Sequence, residues 1–418
     1  MKIEELYKYY KQHFLVDTDT RSIRKNTIFF ALKGPSYNGN AFAEKALDAG
    51  AIYSIVEEPI YVTKPNILLV ENVLQTLQKL ANYHRKQLNI PIIGLTGSNG
   101  KTTTKELLHP VLSKKYKTVA TVGNLNNHIG VPLTLLSMNA ETEIGIVEMG
   151  ANHQKEIKLL SHLCAPNFGY ITNFGKAHLE GFGGVEGVIK GKSELYTYLK
   201  NEGGIAIVNP NDKIQLEKTN EIKRIFFEEK LILKKATPFV AVDYKGTTIE
   251  SKLIGTYNFA NICAAITFGH YFGIESTDIK DALESYVPSN NRSQIIKKGT
   301  HTILLDAYNA NPTSMKAAID SFKLMEGKNK VLILGDMFEL GKHELEEHQK
   351  IAALTLSANF KTVFFIGKLF HRITTDYQQF KEFNDFKNHL KTQNLSNCTI
   401  LIKGSRGMQL EKVLELLN

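Results

Sequence analysis

Ile92-Ile93-Gly94-Leu95-Thr96-Gly97-Ser98-Asn99-Gly100-Lys101-Thr102-Thr103-Thr104 decides the fold of this 418-residue chain. The apolar run over residues 90–95 predicts a buried parallel strand, the glycines turn the chain tightly, and Lys101 opens a helix. That order builds a phosphate cradle. Backbone N–H groups around Gly97 and Gly100 face phosphate oxygens, the helix N-terminus adds partial positive charge, and Lys101 adds a full one. The Thr102 hydroxyl is placed to ligate the magnesium that accompanies ATP. Thr96, Gly97, Ser98, Asn99, Gly100 and Thr103 complete the candidate nucleotide contacts. The common phosphate loop separates two glycines by four residues; here Leu95 stands at the first position and Gly94 comes one residue early.

Downstream, the helix carries Leu107, Leu108, Val111 and Leu112 on one face, and Pro110 is expected to kink it or end its first part early. Residues 118–121 read as a second strand, followed by Gly123-Asn124-Leu125-Asn126-Asn127-His128-Ile129-Gly130. The uncharged amides of Asn124 and Asn127 suit a neutral ligand group such as a sugar or peptide amide. Residues 143–148 form a third buried run ending in Glu148, a carboxylate that can reach the nucleotide's metal from the neighbouring strand. Residues 168–173 end another strand, and His178 in the following loop lies on the phosphate side. Lys192 reads from its spacing as a surface lysine. Residues 204–209 close the parallel set, residues 240–250 read as a hairpin, and a helix runs from Tyr257 to about Phe272.

The first segment, residues 1–88, alternates strands (26–31, 66–70) with helices (2–13, 41–50, 72–88). The last segment, residues 289–418, alternates strands (302–306, 330–334, 362–366, 398–402) with helices (313–324, 344–357, 379–390, 408–417). Strict alternation predicts a parallel sheet covered by helices. The reading is therefore an α/β protein of three domains, 1–88, 89–288 and 289–418, with a hinge near residues 286–292. Its centre is a phosphate-loop parallel sheet with a small antiparallel flank, and its last domain is Rossmann-like.

With 43% hydrophobic and 22% charged residues, the composition is that of an ordinary globular protein. The start lacks a signal-peptide core and no apolar run reaches membrane-spanning length, so a cytoplasmic protein without membrane insertion is expected. The net charge of +9 is spread along the chain without interleaved aromatics, which favours small polyanions over nucleic acid. Cys164, Cys263 and Cys398 sit in apolar segments and read as buried thiols, and a monomer is expected.

Three further loops are unusually specific: Asp306-Ala307-Tyr308-Asn309-Ala310-Asn311-Pro312, Gly335-Asp336-Met337-Phe338-Glu339-Leu340-Gly341, and Lys403-Gly404-Ser405-Arg406-Gly407. With the amide loop and the phosphate loop, the first two make the chain resemble the Mur ligases, ATP-dependent amide-forming enzymes of peptidoglycan synthesis, over essentially its full length. The resemblance implies ATP and Mg2+ as cofactors, and UDP-N-acetylmuramoyl-tripeptide and D-alanyl-D-alanine as partners. It implies that Lys101 binds the terminal phosphates, Thr102 one magnesium, and Glu148 and His178 a second. Lys192 matches a lysine that this family carbamylates, giving an anionic group that reaches that metal. Asn258, Arg292, Asp306, Tyr308 and Asn309 resemble the family's nucleotide contacts, with Arg292 also aiding charge neutralisation in catalysis. Thr20, Arg21, Asn38 and Gly39 resemble the first domain's grip on the UDP end. Competing readings are a folylpolyglutamate-type ligase, disfavoured by Tyr308-Asn309, and a non-catalytic ATP-gated binding protein, disfavoured by the joint presence of Glu148, His178 and Lys192.

Overall fold

The computed structural model describes residues 1–289, 291–393 and 395–417. The strand Ile92–Thr96 lies inside a six-stranded sheet ordered Lys223–Phe226, Ile205–Val208, Phe168–Ile171, Ile92–Thr96, Ile144–Glu148, Thr118–Ala120. Every pairing in it is parallel. Parallel strands need helical crossovers, which cover both faces, so all five residues of Ile92–Thr96 are buried. Ile93 and Leu95 pack with Leu107 and Val111 of the helix Lys101–Leu112, while Ile92 packs with the opposite layer that includes Val131 and Leu160.

The register pairs Leu95 with Glu148 and Thr96 with Ile171. The phosphate loop, Glu148 and the segment leading to His178 therefore leave the sheet at one edge. Two details differ from expectation. The helix Lys101–Leu112 runs through Pro110, because the proline falls in its last turn and buried Val111 and Leu112 hold that turn in place. The sheet does not close at Ile205–Val208. Lys223–Phe226 pairs outside it, and this edge strand is too short and polar to read as a buried one.

Beside this sheet lies an antiparallel one of Leu231–Lys235, Ala241–Tyr244 and Thr247–Glu250. Its second hairpin turns through Lys245 and Gly246, both at positive φ (51° and 81°), the backbone that matches strand twist in a two-residue turn.

The first segment forms a four-stranded parallel sheet, Val16–Asp17, Ile28–Phe30, Tyr53–Val56, Ile67–Leu69. Its long helix, Val73–Gln87, carries Arg85, whose guanidinium donates to the carbonyls of Leu88, Cys164 and Ala165 and so ties the segment to the central one. The last segment forms a sheet ordered Gln294–Lys298, His301–Asp306, Thr399–Lys403, Lys330–Gly335, Thr362–Ile366, Gln378–Phe380. It is not wholly parallel, since Gln294–Lys298 turns back on His301–Asp306 as an antiparallel edge. The expected helix over residues 379–390 is a strand, Gln378–Phe380, then a helix, Phe383–Thr392. The terminal helix is of the 3-10 kind, Leu410–Leu416. Asn290, within the expected hinge, lies outside the described residues. One buried apolar network joins all three segments, from Leu6 through Val131 and Leu163 to Leu304 and Leu332. All three cysteines are buried free thiols.

Candidate active site

The loops at the carboxyl edges of the central and last sheets enclose a cavity of about 600 Å³. The central sheet contributes Ser98 to Thr103, the amide loop and Glu148; the last segment contributes Arg292, Asp306, Tyr308 and Asn309.

The phosphate loop has its shape because two of its residues cannot carry a side chain. Gly97 has φ +140°, and a Cβ there would sit 2.0 Å from Thr172 Oγ1; Gly100 has φ +85°, and a Cβ there would sit 2.7 Å from Asn261 Oδ1. Lys101 folds back so that Nζ donates to the Gly97 carbonyl at 2.7 Å. Burial pulls its pKa below the ordinary lysine value, and Glu148 opposes that shift.

Glu148 is 1% exposed. Its Oε1 accepts from Asn126 Nδ2 at 2.8 Å and from Thr102 Oγ1 at 3.2 Å, whereas Oε2 is buried without a hydrogen-bond partner. A buried carboxylate oxygen left unpaired beside a threonine hydroxyl fits a hard divalent cation such as Mg2+, which prefers oxygen donors. Among the described residues, no three His, Cys, Asp or Glu side chains gather at metal-binding distance. His178 lines the cavity, and its Nδ1 engages Glu339 from the last segment. Lys192 stands behind the wall, 1% exposed, with Nζ donating to the Ala151 carbonyl at 3.0 Å. Burial, reinforced by the charge of Lys101, drives its pKa well below the ordinary value.

From the last segment, the Arg292 guanidinium lies 3.6 Å from the centre of the Tyr308 ring, a stacked cation–π pair. Asp306 accepts from Lys403 Nζ at 2.5 Å, and the same ammonium donates to the Asn309 carbonyl at 3.1 Å. Lys403 therefore holds the loop on either side of Tyr308, at Asp306 and Asn309.

Of the other sequence candidates, Asn124 and Asn127 line the cavity and the rest lie elsewhere. Thr96 and Gly97 form the floor of the loop rather than the cavity lining. Asn258 is 2% exposed and does not line the cavity; its Oδ1 accepts from Asn261 Nδ2 at 2.8 Å, and Asn261 in turn meets the phosphate-loop helix at Thr104. Asn124 reaches the cavity. Asn127 does too, but its Oδ1 accepts from the N–H of Gly130 at 2.9 Å, where the helix Gly130–Leu135 begins. Thr20, Arg21, Asn38 and Gly39 belong to the first segment and do not line this cavity. There Arg21 pairs with Asp19 at 2.5 Å, and Asn38 Oδ1 accepts from the N–H of Asn40 at 3.0 Å.

Sequence reasoning overlooked Asn126, Asn261, Asn311 and Lys403. Asn126, Asn311 and Lys403 stood in quoted stretches, and the Asn258–Asn261 spacing of three was a readable sign of one helix face.

Residues 95–269 match the Mur ligase middle domain, and residues 291–406 match the Mur ligase, glutamate ligase domain. The chain belongs to the Mur ligase family. It is similar to the UDP-N-acetylmuramoyl-tripeptide–D-alanyl-D-alanine ligase of Bacillus subtilis, 35% identical over 96% of this chain and 92% of that protein. It is also similar to a crystal structure of MurF from Acinetobacter baumannii, at 30% identity and a TM-score of 0.84, covering 96% of this chain and 92% of that one. The MurF ligase of Thermotoga maritima, solved in complex with ADP, matches at 28% identity and a TM-score of 0.84, covering 96% of both chains. As a Mur ligase, the chain presents its family's phosphate loop and the Arg292–Tyr308 stack to one shared cavity.

Proposed function

We propose that this Mur ligase couples D-alanyl-D-alanine to UDP-N-acetylmuramoyl-tripeptide, cleaving ATP to ADP and phosphate and giving the UDP-N-acetylmuramoyl-pentapeptide of peptidoglycan synthesis. The full-length similarity to proteins named for that reaction supports it. The observation that carries it is the meeting of Lys101, Thr102 and Glu148 with Arg292, Asp306 and Tyr308 around one cavity.

A peptide carboxylate does not react with an amine in water; phosphorylation to an acyl phosphate makes it reactive, after which the dipeptide amine displaces phosphate. Catalysis is mostly positioning and charge neutralisation. The backbone around Gly97 and Gly100 cradles phosphates, Lys101 sits against the terminal ones, and Arg292 brings a second cation from the last segment. Tyr308 and Asn309 would lie near the base, and Asp306 would contact the nucleotide from the last segment. Asn258 acts from behind, through Asn261. Thr102 and Glu148 would hold Mg2+, which lowers the repulsion between ATP and the substrate carboxylate when bound. His178 would join the residues that hold the metal, its ring oriented by the contact with Glu339.

Lys192 enters as the site of carbamylation. Its burial favours the neutral amine, whose lone pair attacks carbon dioxide and whose proton leaves, giving an anionic carbamate. Asn124 and Asn127 offer amides to the sugar or peptide. Thr20, Arg21, Asn38 and Gly39 hold the UDP end. The segments 1–88, 89–288 and 289–418 serve as UDP-substrate, ATP and Rossmann-like domains. Among the described residues no helix is long and apolar enough to cross a membrane, and we place the reaction in the cytoplasm.

The test is phosphate release from ATP with each substrate alone and both together. Release that requires both, with a product heavier by the dipeptide, is expected. Release with neither or only one, and no such product, would overturn the assignment.

A further inference from the structure

In the wall of the cavity, the last segment meets the phosphate loop through a pair of side-chain amides, Asn311 and Asn99. Asn311 Nδ2 donates to Asn99 Oδ1 at 2.8 Å. Both partners are held from behind. The Asn99 carbonyl accepts from Thr172 Oγ1 at 2.6 Å and Asn173 Nδ2 at 2.9 Å, so its backbone is fixed on the phosphate-loop side. Asn311 caps the helix Pro312–Leu324, its Oδ1 accepting from the N–H of Ser314 at 2.9 Å. The chains approach closely here: a Cβ on Gly175 would lie 3.0 Å from Asn99 Nδ2 and 3.1 Å from Thr313 Oγ1, and the N–H of Lys176 donates to Thr313 Oγ1 at 2.9 Å.

We propose that the Asn99–Asn311 amide pair is a latch that couples docking of the last segment to the conformation of the phosphate loop, Asn311 acting as a positioning residue. The inference rests on the ATP-dependent reading above and deepens it. Asn311 ends the same loop that carries Asp306, Tyr308 and Asn309, and Lys403 makes the start of that loop rigid. A shift of Asn311 therefore moves the groups facing the nucleotide. A neutral amide pair suits this place: it adds no charge beside the phosphates, and salt does not screen it. Whatever orders Asn99 favours the docked segment, and docking orders Asn99 in return.

The experiment is a double-mutant cycle on the full-length protein with Asn99→Ala, Asn311→Ser and both together. Serine keeps an oxygen to cap Ser314 but is too short to reach Asn99. Each single change should lower kcat about fivefold, the scale of one neutral hydrogen bond, and the double no further than the worse single. Melting temperatures should match the unaltered protein. Solution scattering with a non-hydrolysable ATP analogue and the UDP substrate should show compaction in the unaltered protein and less of it in all three variants. Losses that multiply to about 25-fold, or undiminished compaction in the variants, would overturn the latch. If the unaltered protein shows no substrate-dependent ATP cleavage, the proposed function fails; scattering with the ATP analogue alone then decides the latch, compaction that the variants lose supporting it and compaction that they keep, or none in the unaltered protein, overturning it.

Discussion

At the scale of single residues, the charge of Lys101 and the amine of Lys192 are the two groups whose chemistry is most exposed to test. The Lys101 ammonium donates to two carbonyls of its own loop, at 2.7 and 3.4 Å, so Lys101→Ala removes a cation without opening a core. Turnover should fall at least about a thousandfold, the scale of a removed preorganised charge contact, with the melting temperature nearly unchanged. Ordinary turnover in that variant would remove Lys101 from the mechanism. Lys192→Ala should be nearly inactive, and added formate or acetate should restore part of the rate by standing in for the carbamate. Full activity without the added carboxylate would reject the carbamate role. Lys101 and the phosphate loop were legible as a pattern because their chemistry is local. Lys192 was not: spacing made it a surface lysine, and only the fold shows it buried against Ala151 and Phe182.

At the scale of elements, the turn after Ile92–Thr96 and the helix Val73–Gln87 each make a claim. Gly97→Ala places a methyl group 2.0 Å from Thr172 Oγ1 at φ +140°, which the loop accommodates only by shifting. A loss of about 1–3 kcal/mol in urea unfolding is expected, together with lost turnover. His84 on Val73–Gln87 is buried, with Nε2 3.0 Å from the Met138 carbonyl and Nδ1 3.2 Å from Tyr7 Oη. Burial lowers its pKa from 6.5 to about 4. The unfolded chain takes up that proton near pH 6.5 while the folded one resists until about 4, so unfolding binds a proton and stability falls as pH drops through this window. The full difference is about 3 kcal/mol. The unaltered protein should lose melting temperature more steeply from pH 6.5 to 4 than His84→Gln does. Parallel slopes would show that His84 is not the acid-sensitive link between the first and central segments. Element types were mostly readable from hydrophobic period, as in Glu344–Ser357 and Thr362–Ile366, which match the expected bounds. Short edge strands such as Lys223–Phe226 and Gln294–Lys298 escaped, because two or three inward side chains make no periodic signal.

At the scale of the whole molecule, the central and last sheets meet through Lys176–Glu347 at 2.8 Å, His178–Glu339 and the Asn99–Asn311 amides. These polar contacts flank the cavity, beside the buried apolar network that joins the segments, and polar contacts around a ligand cavity can open and close with ligand. A smaller radius of gyration with nucleotide and UDP substrate than without is expected from solution scattering, and identical curves would argue for a rigid body. Local order along the chain determined the phosphate loop, the alternation of strands and helices, and the uncharged character of the amide loop, because each depends on neighbours a few residues apart. Only the tertiary structure decided that Asn126 orients Glu148, that Lys403 holds the loop of Tyr308, and that Asn311 reaches Asn99. Those partners lie far apart in the chain, and no local pattern records a distance that parallel sheet register and docking of two sheets create.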